Sequence, residues 1–308
     1  MEIRLNHRIC RNREEILNAS TPEVAAFLDE WFAPSDFVWG HTSGSTGTPK
    51  PVGLLKRDME ASARLTNDFF DITCRSVMLL CLSPDYIAGK MMIVRALLSG
   101  ADLLVVTPSS LPLTTIDEPI DFAAMVPAQV VESLKSTMQK SKLSRITSLI
   151  IGGAPLSPGT EVELEKLSVD TYATYGMTET VSHVALRRIG DSLSLYRALG
   201  GISFSIDERN CLIIHAPHFS VKEFVTNDVV ELVDSRNFRW IGRYDHVINT
   251  GGIKVFPELI EKKIAGLFTR RFFVTSCDDL KWGESVALVI EGEALSLEQE
   301  LSLIHISS

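Results

Sequence analysis

Nine consecutive residues, Thr42-Ser43-Gly44-Ser45-Thr46-Gly47-Thr48-Pro49-Lys50, gather hydroxyls, glycines and one lysine in a stretch that cannot form regular structure. The chemistry such a stretch can do is to hold phosphate. Phosphate oxygens need many donors close together. Glycines let backbone N–H groups converge with no Cβ in the way, hydroxyls add donors, and a lysine adds charge. The pattern is not a Walker loop, because no Gly-Lys-Ser/Thr closes it. A short strand, Phe37-Val38-Trp39, runs into it and Pro49-Lys50 closes it, which argues against a plain Ser/Gly linker. Four further segments follow in order: Gly152-Gly153-Ala154-Pro155-Leu156, Tyr175-Gly176-Met177-Thr178-Glu179-Thr180, Thr226-Asn227-Asp228, and Gly242-Arg243-Tyr244-Asp245 with the Asn249–Glu261 segment behind it. Taken singly, a glycine turn or a loop glutamate is most often only a turn or a solvated charge.

Taken together, these segments resemble the signature motifs of the adenylate-forming superfamily of acyl-CoA synthetases, peptide-synthetase adenylation domains and luciferases. The resemblance spans about residues 42 to 261. It implies ATP, Mg²⁺ and coenzyme A as cofactors and a small-molecule carboxylic acid as substrate. It assigns Thr42, Ser43, Gly44, Ser45, Thr46, Gly47 and Lys50 to the phosphates, and Gly153 and Ala154 to backbone against the adenine. It implies the Tyr175 ring on the adenine, with Gly176 beside it among the cofactor-binding residues. Thr178 and Glu179 are implied at the phosphates and Mg²⁺, a cation that takes hard oxygen ligands and shares them with nucleotide phosphates. Asp228 would accept from both ribose hydroxyls, and Arg243 would contact ribose and phosphate. Asn227 stands where the family usually has glycine, a mild departure because Asn tolerates left-handed backbone. Asp245 is implied as the hinge, and Gly251-Gly252 as the lining of the pantetheine tunnel.

The acid pocket departs from the general pattern. In Leu82–Lys90, Tyr86 takes the place where the family often holds a histidine. Lys90, Arg95, His183 and Arg187 are candidate cations for an acidic substrate, although each alone is more often a packing or surface residue. Tyr-Ile-Ala-Gly-Lys at 86–90 and the Thr-Val-Ser-His continuation to His183 resemble the compact o-succinylbenzoate–CoA ligases of menaquinone synthesis. Two alternatives stay open: an aryl- or acyl-CoA ligase for another acid, and a non-catalytic protein that binds nucleotide or acyl-adenylate.

The elements that must position these residues are legible from pattern. Thr21-Pro22-Glu23 opens a helix with Val24, Phe27, Leu28 and Trp31 on one face. A helix spans about 56–70. Strands at 77–83, 102–107, 122–124, 148–151 and 169–174 alternate with helices at 88–99, 127–139 and 160–167. Strands that end in Gly-rich turns and alternate with helices predict an α/β fold with a mostly parallel, doubly wound sheet, which binds ligands at the carboxyl ends of its strands. From about 186 to 240, short alternating runs predict an antiparallel β subdomain. Beyond Asp245, a glycine turn, a helix at about 257–267 and strands at 272–275 and 286–290 predict part of a small α+β domain. The expected division is a large domain over 1–244 and a partial small domain over 245–308.

The bulk numbers narrow the class. A length of 308 residues suits two domains. A net charge of -9 gives no electrostatic reason to bind nucleic acid or an anionic membrane. The five cysteines have neither zinc nor redox spacing, which predicts reduced thiols and a cytoplasmic protein. No apolar run reaches the length of a membrane span. Self-association is left open. The family closes its active site with a lysine in a Gly-Lys segment well beyond the hinge. Nothing after Gly283-Glu284 matches it, and Lys281 sits too early, so the expectation is a chain cut short in its small domain. The mechanism implied is two-step: the carboxylate attacks the ATP α-phosphate and expels pyrophosphate, then the CoA thiol attacks the acyl-adenylate.

Overall fold

The computed structural model describes residues 2–41, 51–268 and 270–292. The phosphate loop predicted at 42–50, Lys50 included, lies outside the described residues. The chain divides into two compact units, Met1–Trp240 and Ile241–Ser308.

The first unit opens with a hairpin, β1 (Ile3–Leu5) and β2 (Arg8–Cys10), then α1 (Arg13–Ala19) and α2 (Pro22–Phe32). β3 (Phe37–His41) and β4 (Pro51–Leu55) pair antiparallel as a separate two-stranded ribbon, and α3 (Lys56–Phe69) follows. The α/β portion comprises β5 (Val77–Leu80), α4 (Ile87–Ser99), β6 (Asp102–Val105), β7 (Ile120–Met125), α5 (Pro127–Lys135), α6 (Thr137–Leu143), β8 (Ile146–Ile151), α7 (Pro158–Glu165) and β9 (Asp170–Gly176). α4 ends on Gly100 at φ 71°, the left-handed stop that glycine supplies without a Cβ clash. β1, β6, β5, β7, β8 and β9 pair parallel in that spatial order.

Antiparallel strands continue the same sheet from β9: β10 (His183–Arg188), β11 (Tyr196–Ala198), β12 (Ser203–Ile206), β13 (Cys211–His215), β14 (Glu223–Asp234) and β15 (Asn237–Arg243). The predicted β subdomain is therefore an extension of one 13-stranded sheet. Two apolar clusters pack this unit. One joins the N-terminal elements, α3, α4 and β10–β15 around residues such as Leu28, Met59, Met91 and Phe238. The other fills the space between the parallel strands and α5–α7 with Leu79, Phe-free aliphatics such as Leu149 and Ile151, and Val130. Their burial holds the strand ends on which the motif residues sit.

In the second unit, β16 (Ile248–Thr250) and β17 (Ile253–Val255) form a hairpin, followed by α8 (Pro257–Ile264), β18 (Phe272–Asp279) and β19 (Gly283–Ile290). These four strands make a sheet in the order β17-β16-β19-β18. Gly251 and Gly252, at φ 55° and 84°, supply the two left-handed residues of the β16–β17 turn.

Candidate functional site

Tyr175 and Asp228 lie 53 residues apart in sequence and meet directly. The Tyr175 hydroxyl donates to Asp228 Oδ2 at 2.6 Å. Tyr175 is the last residue but one of β9, the last parallel strand, and its ring packs edge-on to Phe238 (5.1 Å between centroids) and beside Tyr196 (5.7 Å). Burial is the main reason its hydroxyl is held well above the usual tyrosine pKa, and the nearby Asp228 charge adds to it. Asp228 is aimed there by a β-bulge. The register of β13 on β14 shifts between Cys211↔Val229 and Ile213↔Val225, so Thr226, Asn227 and Asp228 together face the single residue Leu212. Thr226 Oγ1 donates to the Leu212 carbonyl (2.8 Å) and accepts from the Asp228 N–H (3.1 Å). The indole Nε1–H of Trp240 donates to Asp228 Oδ1 at 3.2 Å.

The glycines flanking this point are there for close approach. A Cβ on Gly176 would strike the Ser182 carbonyl, and one on Gly152 would strike the Thr174 hydroxyl. Gly153 is left-handed at φ 87°, and it and Ala154 are exposed beyond β8. Thr178–Thr180 forms a single 3₁₀ turn in which Thr180 is fully buried while Glu179 is exposed. The chain leaves this turn through Val181 at φ 64°, ψ -49°, with the Ser182 N–H donating to the Thr180 carbonyl (2.6 Å). That is a γ-turn of the rare, strained hand. A β-branched residue is a poor choice for it, and the burial of Val181 (4% exposed) holds it in place.

The candidate substrate cations separate into two kinds. Lys90 is buried but stands 3.8 Å from Glu30 and over the Phe27 ring, and its pKa is pulled down by burial with Glu30 opposing. Arg187 makes a two-pronged pair with Glu161 on α7 at 2.6 and 3.1 Å. Both charges already have carboxylate partners. Arg95 does not. It is 1% exposed, and its nearest polar contacts are the Ser182 hydroxyl (3.0 Å, from Nη2) and the Met92 sulfur (3.6 Å, from Nη1). Its Nε–H has no partner among the described residues. Burial alone pulls it down to about 9, so it stays charged at neutral pH. His183 lies beside it, fully buried. Burial chiefly, and Arg95 secondarily, hold it well below the usual histidine pKa, so it is neutral.

The hydrogen bonds fix its tautomer. The Thr66 hydroxyl donates to the Ser62 carbonyl (3.2 Å), so Thr66 Oγ1 accepts from His183 Nε2–H (3.3 Å). Nδ1 then accepts from the Ser182 hydroxyl (3.4 Å), which itself accepts from Arg95. Ser62 Oγ and Asn67 Oδ1, on the same helix α3, are buried without partners among the described residues. Sequence reasoning passed over Ser62, Thr66, Asn67 and Ser182. The signal was the spacing of Ser62 and Thr66 on the buried face of α3, among Met59, Ala63 and Leu65. Tyr86, by contrast, is 65% exposed at the N-terminus of α4 and is not drawn into this group. A cavity of about 380 Å³, lined by Glu165, Asp170 and Arg188 among others, opens at the start of β9, the opposite end from Tyr175. Its arginine is ion-paired to its aspartate.

A family model described as AMP-binding enzyme matches residues 8–205. The chain belongs to the AMP-binding enzyme family. Its fold agrees with an acyl-CoA synthetase (AMP-forming)/AMP-acid ligase II-like protein from Dyadobacter fermentans. That structure is 35% identical, with a TM-score of 0.68 over 93% of this chain and 85% of the other. A probable 2-succinylbenzoate–CoA ligase of Mycobacterium tuberculosis is 27% identical over 240 residues, 71% of this chain and 61% of the relative. An o-succinylbenzoate CoA synthetase from Bacillus subtilis, solved with ATP and magnesium ion, shares the fold. Its TM-score is 0.71 at 18% identity, over 85% of this chain and 62% of the other. The chain spans about three fifths of the length of the curated relatives it matches.

In the second unit of this AMP-binding enzyme, Arg243 and Asp245 form a two-pronged pair at 2.9 and 3.0 Å, which holds the Asp245 carboxyl below its usual pKa. Gly251 lies against Trp282, where a Cβ would meet the indole ring. Among the described residues no group of three or more His, Cys, Asp or Glu side chains could hold a metal ion, and no helix is long and apolar enough to cross a membrane.

Proposed function

We propose that this chain carries the nucleotide and acid sites of an ATP-dependent acid–CoA ligase, with o-succinylbenzoate as the acid. The observation that carries the nucleotide half is the Tyr175–Asp228 contact at the end of the parallel sheet. It joins the third and fourth family motifs where doubly wound sheets bind ligands. The residues fit ATP. Gly153 and Ala154 expose backbone beyond β8 with no bulky side chain, Tyr175 offers a ring, and Asp228 offers a carboxylate suited to ribose hydroxyls. The phosphates fall to Thr42–Gly47 and Lys50. Mg²⁺ suits Glu179 with Thr178, since that cation needs few protein ligands when phosphates supply the rest. When bound, it neutralises charge on the phosphates.

For the acid, a dianionic aryl substrate must leave one carboxylate bare for attack and neutralise the other, because an unpaired buried charge is costly. Arg95, buried, charged and facing no carboxylate, suits that second group, with His183 and Ser182 fixing its orientation. Lys90 and Arg187 already face Glu30 and Glu161, which favours Arg95 over them in this role. The carboxylate oxygen then attacks the α-phosphorus and pyrophosphate leaves. In the second step the CoA sulfur bonds to the acyl carbon and AMP departs, with Asp245 as hinge and Gly251-Gly252 against the pantetheine arm.

The test is pyrophosphate release and thioester formation with a panel of acids. o-Succinylbenzoate should be used far better than benzoate, malonate or a long-chain fatty acid. Equal or better use of a monoacid would reject the substrate, and no nucleotide binding at all would reject the ligase reading.

A further inference from the structure

Asp228 is held at more points than a ribose contact needs. Its Oδ2 accepts from Tyr175, its Oδ1 accepts from the Trp240 indole, and its N–H is tied to Thr226. A carboxylate oxygen has two acceptor directions. With one direction taken on each oxygen, one remains open on each, and the plane of the carboxylate can no longer turn. Two fixed, adjacent acceptor directions match a vicinal diol. The bulge that carries Asp228 is gripped from outside as well. Arg209, on the β12–β13 turn, donates from Nη1 to Asn227 Oδ1 (3.1 Å) and from Nη2 to the Thr226 carbonyl (3.4 Å). Asp207 steadies the guanidinium at 2.7 Å. The Asn227 side chain thus gives the β12–β13 turn a hold on the bulge, beside the Thr226 carbonyl, that a glycine there could not make.

We infer that Trp240 and Arg209 are positioning residues for the nucleotide ribose, acting through Asp228: Trp240 fixes the plane of its carboxylate and Arg209, through Asn227, fixes the bulge beneath it. This rests on the nucleotide site proposed above. It makes a demand that packing alone does not. A residue that works only through Asp228 must matter for a ligand with ribose hydroxyls and be indifferent to one without them.

The experiment is calorimetric binding of ATP and of 2′,3′-dideoxy-ATP to the full chain, its Trp240→Phe and Arg209→Ala variants, and Asp228→Ala. The parent should prefer ATP by about tenfold or more, the range for charge-assisted hydrogen bonds. Asp228→Ala should abolish that preference. Trp240→Phe and Arg209→Ala should each weaken ATP on the order of fivefold and leave the dideoxy ligand unchanged. A second reading needs no variant to fold well. With four tryptophans in the chain, the Trp240 indole N–H resonance should shift on adding ATP and stay in place with dideoxy-ATP. Losses equal for both ligands, or an indole signal that responds to both alike, would make Trp240 and Arg209 ordinary packing residues and overturn the inference. A parent that does not distinguish the two nucleotides, or an Asp228→Ala variant that keeps the distinction, would instead overturn the nucleotide site itself.

Discussion

At the scale of single residues, the chemistry turns on which charges are already spent. Four cations were candidates for an acidic substrate from sequence, and sequence had no means of ranking them, because partners such as Glu30 and Glu161 come from distant elements. The fold ranks them. Lys90 and Arg187 face Glu30 and Glu161, and Arg95 carries a buried charge that faces no carboxylate among the described residues. A buried ion with incomplete partners costs stability, and exchanging it for an apolar side chain of similar volume is often neutral or stabilising. Arg95→Met should therefore leave the unfolding midpoint unchanged or raised. Thioester formation from a dianionic acid should fall about ten- to a hundredfold, the range for a lost charge-assisted hydrogen bond, with a monoacid affected far less. Melting curves and steady-state kinetics on the two acids check this. A large drop in melting temperature with equal loss on both acids would mark Arg95 as structural. The motif segments stood out in the sequence because short peptides carry them. The Ser62, Thr66 and Ser182 partners of His183 did not, because they look like ordinary helix and loop residues until α3 and β10 are packed together.

At the scale of elements, the α/β alternation was legible from apolar runs and Gly-rich ends, and two departures have clear causes. The predicted helix over 127–139 is two helices. Ser136 adopts φ -100°, ψ 121°, which breaks the first, and its side chain accepts from the Gln139 N–H to cap the second. The β1–β2 hairpin escaped notice because its turn residues are Asn6-His7, at φ 47° and 65°, where the usual signal is Asn-Gly. The His7 ring offsets the left-handed backbone by bridging two carboxylates: Nε2 with Glu118 at 2.9 Å and Nδ1 with Asp102 at 2.8 Å. The Glu118 hydrogen bond first, and the charges of both carboxylates with it, raise the His7 pKa above its ordinary 6.5. A folded-state pKa above the unfolded value means the protonated form favours folding. The contribution is full below about pH 6.5 and is lost as pH rises through the raised value. The imidazole is largely exposed, so screening limits the effect to about 1 kcal/mol or less. His7→Asn keeps a left-handed-tolerant residue and removes the charge. The parent should exceed it in stability at pH 5.5, with the gap closing by pH 8.5. A gap that does not depend on pH would show that the ring acts by packing alone.

At the scale of the whole molecule, the two units differ in how much they can bury. The first is filled by two apolar clusters that span its sheet. In the described part of the second, Ile248 and Val274 are the apolar side chains below a tenth exposed besides Pro257, while Phe273, Val286 and Val289 on β18 and β19 remain largely open. Hydrophobic stabilisation scales with apolar area removed from water, at about 25 cal/mol per Å², so a sheet with so little covered has little to set against its chain entropy. The sequence indicated this unit by its glycine turn and helix, but not its thin core, since Phe272–Asp279 and Gly283–Ile290 read as ordinary strands until their burial is known. The expectation is graded stability within one chain. In native-state hydrogen exchange, amides of β16, β18 and β19 should exchange through local openings, at least about a hundredfold faster than those of β5, β7 and β8, which should open only with global unfolding. Protection in β18 and β19 equal to that of the parallel strands would mean that the second unit is stabilised by something other than its own core.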